Sequence, residues 1–561
     1  MRSLQILYLG TALCVVLGLV TACEKSGSAP VAAAGGSGTA ANVSAPGEFP
    51  ICKEPIDIQV GIIQNATVEN YETNALTKWY EEKGNFRLHF DFFPSSGSEA
   101  RNKLEVMVAS GGTLPEVLIG FTTFLSDETI LSYGTEGAII PLNEYYDKWG
   151  YYIPQVLERV NNKDLKQWLT SADGNIYFIP KNNEQIGNLY HLRSWINKAW
   201  LDKLGLEMPK TTDEFRSVLE AFVTKDPNGN GQRDEIGMIG GNLNEWGGQA
   251  ADFIMNAFVY DDTSNRFIVN SAGKIEPAYT QEEWREGLRY MNGLFKAGLL
   301  PRQGFTMDSS QMRQMAENGQ VSQVGVFTHG NLANVLSAMN TRKLEYVPLP
   351  PLAGPKGANY ATYYPDMPQK NFIITKDAKN PEAIFRWGDL MCSEEGYMRT
   401  RWGIPDADWK KPGPEDKSLL DSIGVKASVI PILPWGSIQN SHWLFTTAGI
   451  LPFGVADGQV APAGDPLYSE RWIYAAVPFY MGKEAKTRAD IIKFTLEEAE
   501  EIREIKTTIN NYVNESLALF VVGDRDVEKD WDAYCKELGN MGLTRYLEIS
   551  QSGYDRAIGK K

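Results

Sequence analysis

Between residues 56 and 120 the hydrophobic period of the chain changes four times, and this alternation limits the fold more than any other feature. "PIDIQVGII" sets Ile56, Ile58, Val60 and Ile62 against Asp57 and Gln59, the period of two expected of a strand. Tyr71, Ala75, Leu76 and Trp79 then share one helical face, which stops at Gly84. "FRLHFDFF" returns to strand. "SEARNKLEVMVASGG" opens a helix at Ser98, carries Leu104 and Val108 on its apolar face and ends on glycines, and "LPEVLIG" is strand again. Strand, helix, strand, helix, strand within about sixty residues predicts a parallel α/β lobe.

Further along, "PKTTDEFRSVLEAF" opens a helix with a capping box, Thr211 facing Glu214 three residues on. Ile502, Ile505, Ile509, Tyr512 and Leu517 mark a long amphipathic helix. There is no internal repeat. Some 510 residues follow position 50, enough for two or more lobes with real cores. With 54 basic and 70 acidic residues the formal charge is −16, which disfavours a nucleic-acid partner, since nucleic acid is bound chiefly through Lys and Arg on phosphates.

The densest cluster of chemistry is "DPNGNGQRDE", Asp226 to Glu235, directly after the capped helix. Asp226, Asn228 and Asn230 alternate as the first three ligands of an EF-hand loop do, and Gly231 stands at its sixth position, where the loop turns sharply. Gln232 falls at position seven, which contributes a backbone carbonyl. Position twelve, normally a bidentate Glu, is Gly237, so Asp234 and Glu235 would have to complete the shell. Three carboxylates with amide oxygens suit calcium, a hard cation. The same residue types also build polar surface turns.

The N-terminus points to export. Arg2 precedes an apolar run from Leu4 to Val20, too short and too early for a membrane span but fitting a secretory leader over residues 1–22. It ends in "LVTAC", which looks like a bacterial lipobox: Cys23 would become the first mature residue and carry lipid, anchoring the protein to a membrane face. Residues 23–50 are small, polar and rich in Gly, Ala, Ser and Pro, and read as a flexible tether. Of five cysteines only Cys52, Cys392 and Cys535 then remain, which is no disulfide framework. No Cys-x-x-Cys occurs and His89, His191, His329 and His442 are isolated, so zinc and redox chemistry lack support.

Among 14 Trp, 25 Tyr and 23 Phe, four tryptophans lie in stretches rich in Gly, Pro and Asn: Trp246 in "NEWGGQ", Trp402 in "RWGIPD", Trp435 in "LPWGSIQ" and Trp443 in "SHWLF". They are the candidates for flat platforms that stack on sugar rings; elsewhere large aromatics are ordinary core.

Together these segments resemble the extracellular solute-binding proteins, family 1, of ABC importers, and within them the calcium-loop lipoproteins that include alginate-oligosaccharide binders. The resemblance is carried by "VMVASGGTLPEVL", "GAIIPLNEYYDKWG", "DGNIYFIP", "WINKAWLDKLGLEMPKTTDEFRSVLEAFVTKDPNGNGQRDEIG" and "WDAYCKELGNMGLTRYLEISQSGYDR". Asn197 and Ala199 stand where that pattern has a charged pair, and Gly112 where it has Asp. The resemblance implies calcium on Asp226, Asn228, Asn230, the Gln232 carbonyl, Asp234 and Glu235, with a structural role. It also implies a two-lobe α/β fold of the periplasmic-binding type (type II), with the ligand cleft between lobes joined by a hinge. The expected boundaries are 51–185 plus about 321–370 for the N-terminal lobe, and 186–320 plus about 371–561 for the lobe with the calcium loop. The expected function is capture of a carbohydrate or other small solute for ABC importer permease subunits, as a monomer and without catalysis. A calcium-braced glycoside hydrolase, or a surface sensor or adhesin, are the alternatives; no Gly-x-Ser-x-Gly, His-Glu-x-x-His or Walker-type loop is present.

Overall fold

A computed structural model describes residues 40–560, apart from 123, 161–164, 243–244, 338, 435–436 and 445. The expected leader, Cys23 and most of the tether lie outside the described residues, as does Trp435. The opening alternation folds as its periodicity requires. Strands β1 (Ile56–Ile63), β2 (Phe86–Phe93) and β3 (Val117–Ile119) pair in parallel with β1 central, and helices Ala75–Gly84 and Gly97–Ala109 connect them. The sheet grows on the β3 side by β11 (Gln369–Ile374), β4 (Ile179–Asn183) and β14 (Gly449–Leu451), in the order β14-β4-β11-β3-β1-β2. It is not wholly parallel, because β11 runs antiparallel to both β3 and β4. Apolar residues cover both faces: Ile58, Val60 and Ile62 on one, Phe93, Leu118 and Ile373 on the other.

A second sheet orders β10 (Tyr346–Leu349), β5 (Ser194–Asn197), β9 (Val324–Thr328) and β6 (Ile236–Ile239). Small hairpin-like pairs, β7 (Phe267–Val269) with β8 (Ile275–Pro277) and β12 (Trp409–Lys410) with β13 (Ile430–Pro431), stand apart from both. Helix Thr212–Thr224 begins with the expected capping box at Thr211 and Glu214 and buries Phe215, Leu219 and Phe222. The long helix Leu496–Val522 presents Ile502, Ile509 and Leu517 to the same core.

The two sheets divide the chain differently from the expected lobe boundaries. Segment 321–370 was expected with the first lobe, yet β9 and β10 belong to the second sheet; β11 and β14, from a region expected in the second lobe, belong to the first. The chain therefore crosses between β4 and β5, between β10 and β11, and again between β14 and helix Glu470–Tyr480, which packs on β10. Local periodicity announces a strand but not its neighbour. Trp195, for example, pairs with Phe327, far along the chain.

The expected tether also needs correction. Residues 40–50 are packed on the first lobe: Val43 is 5% exposed and bridges to Cys52. The buried Arg386 guanidinium donates to the carbonyls of Ser44, Ala45 and Glu48. An otherwise featureless stretch is fixed because it supplies acceptors that a buried cation requires. Cys52 and Cys392 are buried and Cys535 partly so, all three unpaired.

Candidate functional site

Between the two sheets opens a cleft of about 850 Å³, against about 50 and about 80 Å³ for cavities elsewhere. One wall comes from the first lobe: Lys181 and Asn183 on β4, Gln369 on β11, and Arg401 and Trp402 at the end of helix Glu394–Trp402. The other comes from the second: Trp246 beyond β6, Asn331 and Asn334 beyond β9, and Ile473 on helix Glu470–Tyr480. A volume of this size accepts a ligand of several rings.

The candidate tryptophans separate. Trp246 is 37% exposed at the cleft, and its inner face lies on His191 (centroids 5.0 Å apart, 16° between planes), which stacks in turn on Tyr364 (3.6 Å, 23°). Two glycines make room for it. A side chain at Gly330 would overlap the indole, and Gly247, at φ +63°, would drive one into the His191 carbonyl. Trp402 borders the cleft but is only 6% exposed, packed with Trp409 and Val429 and held edge-on by Tyr397 (6.1 Å, 65°), with the Arg401 guanidinium 5.0 Å from its ring centroid. Trp443 does not. It is fully buried in the first-lobe core, its indole N–H donating to Thr77 Oγ1 (2.9 Å) and its ring packed against Tyr80, Phe90 and Trp387. That tryptophan is packing, not a platform.

Polar groups that the sequence did not single out line the same cleft. Burial, reinforced by Arg401, brings the Lys181 ammonium down to about 7, while Asp366 works against the shift. Burial holds the Asp366 carboxyl well above its ordinary range despite Lys181 nearby, and its Oδ2 is buried with no hydrogen-bond partner. Glu470 is likewise raised by burial, with Arg401 and Arg193 opposing. Arg401 donates to Gln185 Oε1 (3.2 Å). His442, lining the same cleft, is pushed down to about 4 by burial. These groups come from segments as far apart as β4 and helix Glu470–Tyr480, and no local motif links them.

The loop 226–235 follows helix Thr212–Thr224 on the second lobe. Asp226 (φ +48°), Gly229 (φ +75°) and Gly231 (φ +76°) turn it through the left-handed region. The amides of Gly229, Asn230 and Gly231 donate to the Asp226 carboxylate at 2.9–3.1 Å. Burial is the largest single influence on the Asp234 carboxyl and raises it, but the bonds donated by Asn228, Asn230 and Gln323 together outweigh it and hold the carboxyl low. Among the described residues no three His, Cys, Asp or Glu form a metal cluster. One observation nevertheless fits a cation. Both Glu235 carboxylate oxygens are buried without a hydrogen-bond partner, and burial, then the charges of Asp226 and Asp234, raise its pKa.

Near Trp246 a serine, a histidine and a glutamate converge. Ser309 Oγ lies 3.1 Å from His329 Nε2 and donates to Glu245, itself 3.6 Å from the same nitrogen. This is not a nucleophile relay. His329 Nδ1 accepts the Asn331 amide (3.0 Å), so the proton resides on Nε2, and the acid sits on the serine side rather than behind the ring. The imidazole, pushed down to about 4 by burial, is a neutral donor.

The model of the bacterial extracellular solute-binding protein family matches residues 66–398. The fructooligosaccharide ABC transporter substrate-binding protein FusA of Streptococcus pneumoniae is 29% identical over 499 residues, covering 84% of this chain and 85% of that protein. The solved structure of FusA in complex with kestose aligns with a TM-score of 0.68 at 25% identity, over 90% of this chain and all of that one, 100%. An extracellular solute-binding protein from Bifidobacterium longum subsp. infantis aligns at 0.72 with 21% identity, over 90% and 98% of the two chains. With two α/β lobes, an open cleft between them and a family match spanning more than half its length, this chain belongs to the bacterial extracellular solute-binding proteins.

Proposed function

We propose that this protein is the capture component of an ABC importer, holding an oligosaccharide between its lobes for permease subunits and tethered to a membrane face through lipid on Cys23. The observation that carries this reading is the interlobe cleft, large enough for several sugar rings, lined by the exposed indole of Trp246, the edge of Trp402 and several side-chain amides. Indole faces match the apolar C–H faces of sugar rings, while amides and charged groups serve the hydroxyls. The likeness to FusA, named for fructooligosaccharide and solved with kestose, supports the same ligand class. The test is a thermal-shift screen against a glycan panel, because a ligand that binds only the native state raises the midpoint by mass action. A rise with one oligosaccharide class, and its recovery at full length, is the expected result; a shortened product would mean hydrolysis instead.

The loop 226–235 is proposed to hold a structural calcium ion through Asp226, Asn228, Asn230, the Gln232 carbonyl, Asp234 and Glu235. The ligand spacing, the glycine at the sixth position and the partnerless Glu235 carboxylate support it. Bound there, calcium would neutralise the loop's carboxylates and brace the connection from helix Thr212–Thr224 to β6.

A further inference from the structure

Trp246 stands on the turn between β6 and helix Ala250–Met255, closed by the Gly241 amide on the Gly248 carbonyl (2.7 Å). Two glycines of this turn make room for Glu245: a Cβ at Gly241 or Gly248 would come within 2.8 or 2.7 Å of its side chain. That side chain, largely buried, reaches Ser309, the first residue of helix Ser309–Ala316, whose Oγ donates to the carboxylate. Ser309 Oγ in turn accepts from His329 Nε2 (3.1 Å), the nitrogen that carries the ring proton. The ring is held at its other nitrogen as well, where the Asn331 amide donates to Nδ1 (3.0 Å). His329 is buried directly after β9, its amide on the Arg193 carbonyl (3.0 Å) and its carbonyl accepting the Trp195 indole N–H (2.8 Å). The next residue, Gly330, lies against the Trp246 indole and donates its amide to the Trp246 carbonyl (2.8 Å).

We propose that Glu245, Ser309 and His329 form a positioning chain that fixes the Trp246 indole at the cleft wall and so sets ligand affinity without touching ligand. The inference rests on the carbohydrate reading above and names the residues behind its platform. None of the three is among the residues that line the cleft; Trp246 and Asn331, at the two ends of the chain, are. Every bond in the chain has a fixed direction, imidazole N–H to hydroxyl and hydroxyl to carboxylate, so only one arrangement satisfies all three groups. Leaving a buried imidazole N–H or a largely buried carboxylate unmatched is costly, which holds the turn in that arrangement. A platform already in place loses little freedom when a sugar ring stacks on it, and affinity gains accordingly. An indole free to move would have to be ordered by the ligand instead.

The test combines calorimetric titration of the full chain in detergent, with kestose and maltotetraose, and fluorine NMR of the ligand-free chain labelled with fluorotryptophan. Glu245→Ala is expected to weaken sugar binding about tenfold, and to cost nothing further in the Trp246→Ala background, the non-additivity of residues that act through one another. Glu245→Gln keeps an acceptor for Ser309 and is expected to bind within about twofold of wild type. The Trp246 fluorine line, assigned by its loss in Trp246→Phe, is expected to be single in the wild type. It should broaden or split in Glu245→Ala, and also in Ser309→Ala, which serves should the first variant fail to fold. Equal losses with and without Trp246, or a Glu245→Gln chain that binds as weakly as Glu245→Ala, overturn the chain. A Trp246 line that stays single and sharp in both variants overturns it too. If neither sugar binds, the carbohydrate reading falls, while the fluorine lines still decide the positioning.

Discussion

Trp246 and Trp443 carry the same side chain into opposite surroundings, and their removal should be felt in different measurements. Trp246 shows the cleft one face, with the His191–Tyr364 stack behind the other. Trp246→Ala should weaken ligand binding by roughly 10- to 100-fold, the worth of a stacked aromatic plus its buried area, with little change in thermal midpoint. Trp443→Ala should instead cost about 3–5 kcal/mol of stability, because its cavity lies among packed rings, and leave affinity unchanged in the fraction that folds. Calorimetry and urea unfolding on both variants separate the two roles; a Trp443→Ala protein of normal stability and lost affinity would reverse them. His191 adds a pH signature. Burial takes its pKa to about 3, below the unfolded 6.5, so its contribution is complete above pH 6.5 and is lost as pH falls towards 3. At pH 5 the loss reaches about 2 kcal/mol. His191→Phe keeps a ring in the stack and removes the titration. The stability gap between pH 7.5 and pH 5 should therefore narrow by about that amount, and a gap as wide as the wild type's would show that His191 is not the source.

The loop at 226–235 is the element whose chemistry was plainest in the residue order, because every donor lies within ten consecutive positions and glycine at the sixth is a backbone requirement. If calcium braces it, chelator should lower the wild-type thermal midpoint. Glu235→Gln should abolish that response and, without calcium, be no less stable than wild type, since it removes a buried carboxylate that has no protein partner. Scanning calorimetry with calcium and with excess chelator decides it; an unchanged wild-type midpoint would refute the brace. The opening β-α-β-α-β run was legible for the same reason, since periodicity and glycine stops are local. What local order could not carry was partnership. The pattern does not single out β9 and β11, and their sheets are settled by pairing with segments distant in the chain. Trp246 and Trp443 both lie in loop-like surroundings, and only the assembled lobes turn one to the cleft and the other to the core. The charged cleft residues left no trace at all, being single positions on separate elements.

At the scale of the whole molecule, the three crossings between sheets set what the lobes can do. The segment after β4 is tied down where it enters the second lobe: the Asp457 carboxylate accepts the Ile186 amide (3.1 and 3.2 Å), and Gln185 bonds the Tyr474 hydroxyl (3.0 Å). Chain that is fixed at both ends and passes between two independently packed cores is suited to bending, since motion there need not disturb either core. A cleft of about 850 Å³ open to solvent leaves much of a ligand hydrated, and affinity then depends on closing the walls over it. Ligand binding should therefore shorten the radius of gyration measured by X-ray scattering towards the roughly 24 Å of an equally long compact chain. It should also give a negative heat-capacity change as apolar cleft surface, the exposed face of Trp246 included, is buried. Scattering curves that superimpose with and without saturating oligosaccharide would mean that the ligand enters a cleft already in its final shape, and selectivity would then rest on the standing arrangement of Trp246 and the polar side chains that line the walls.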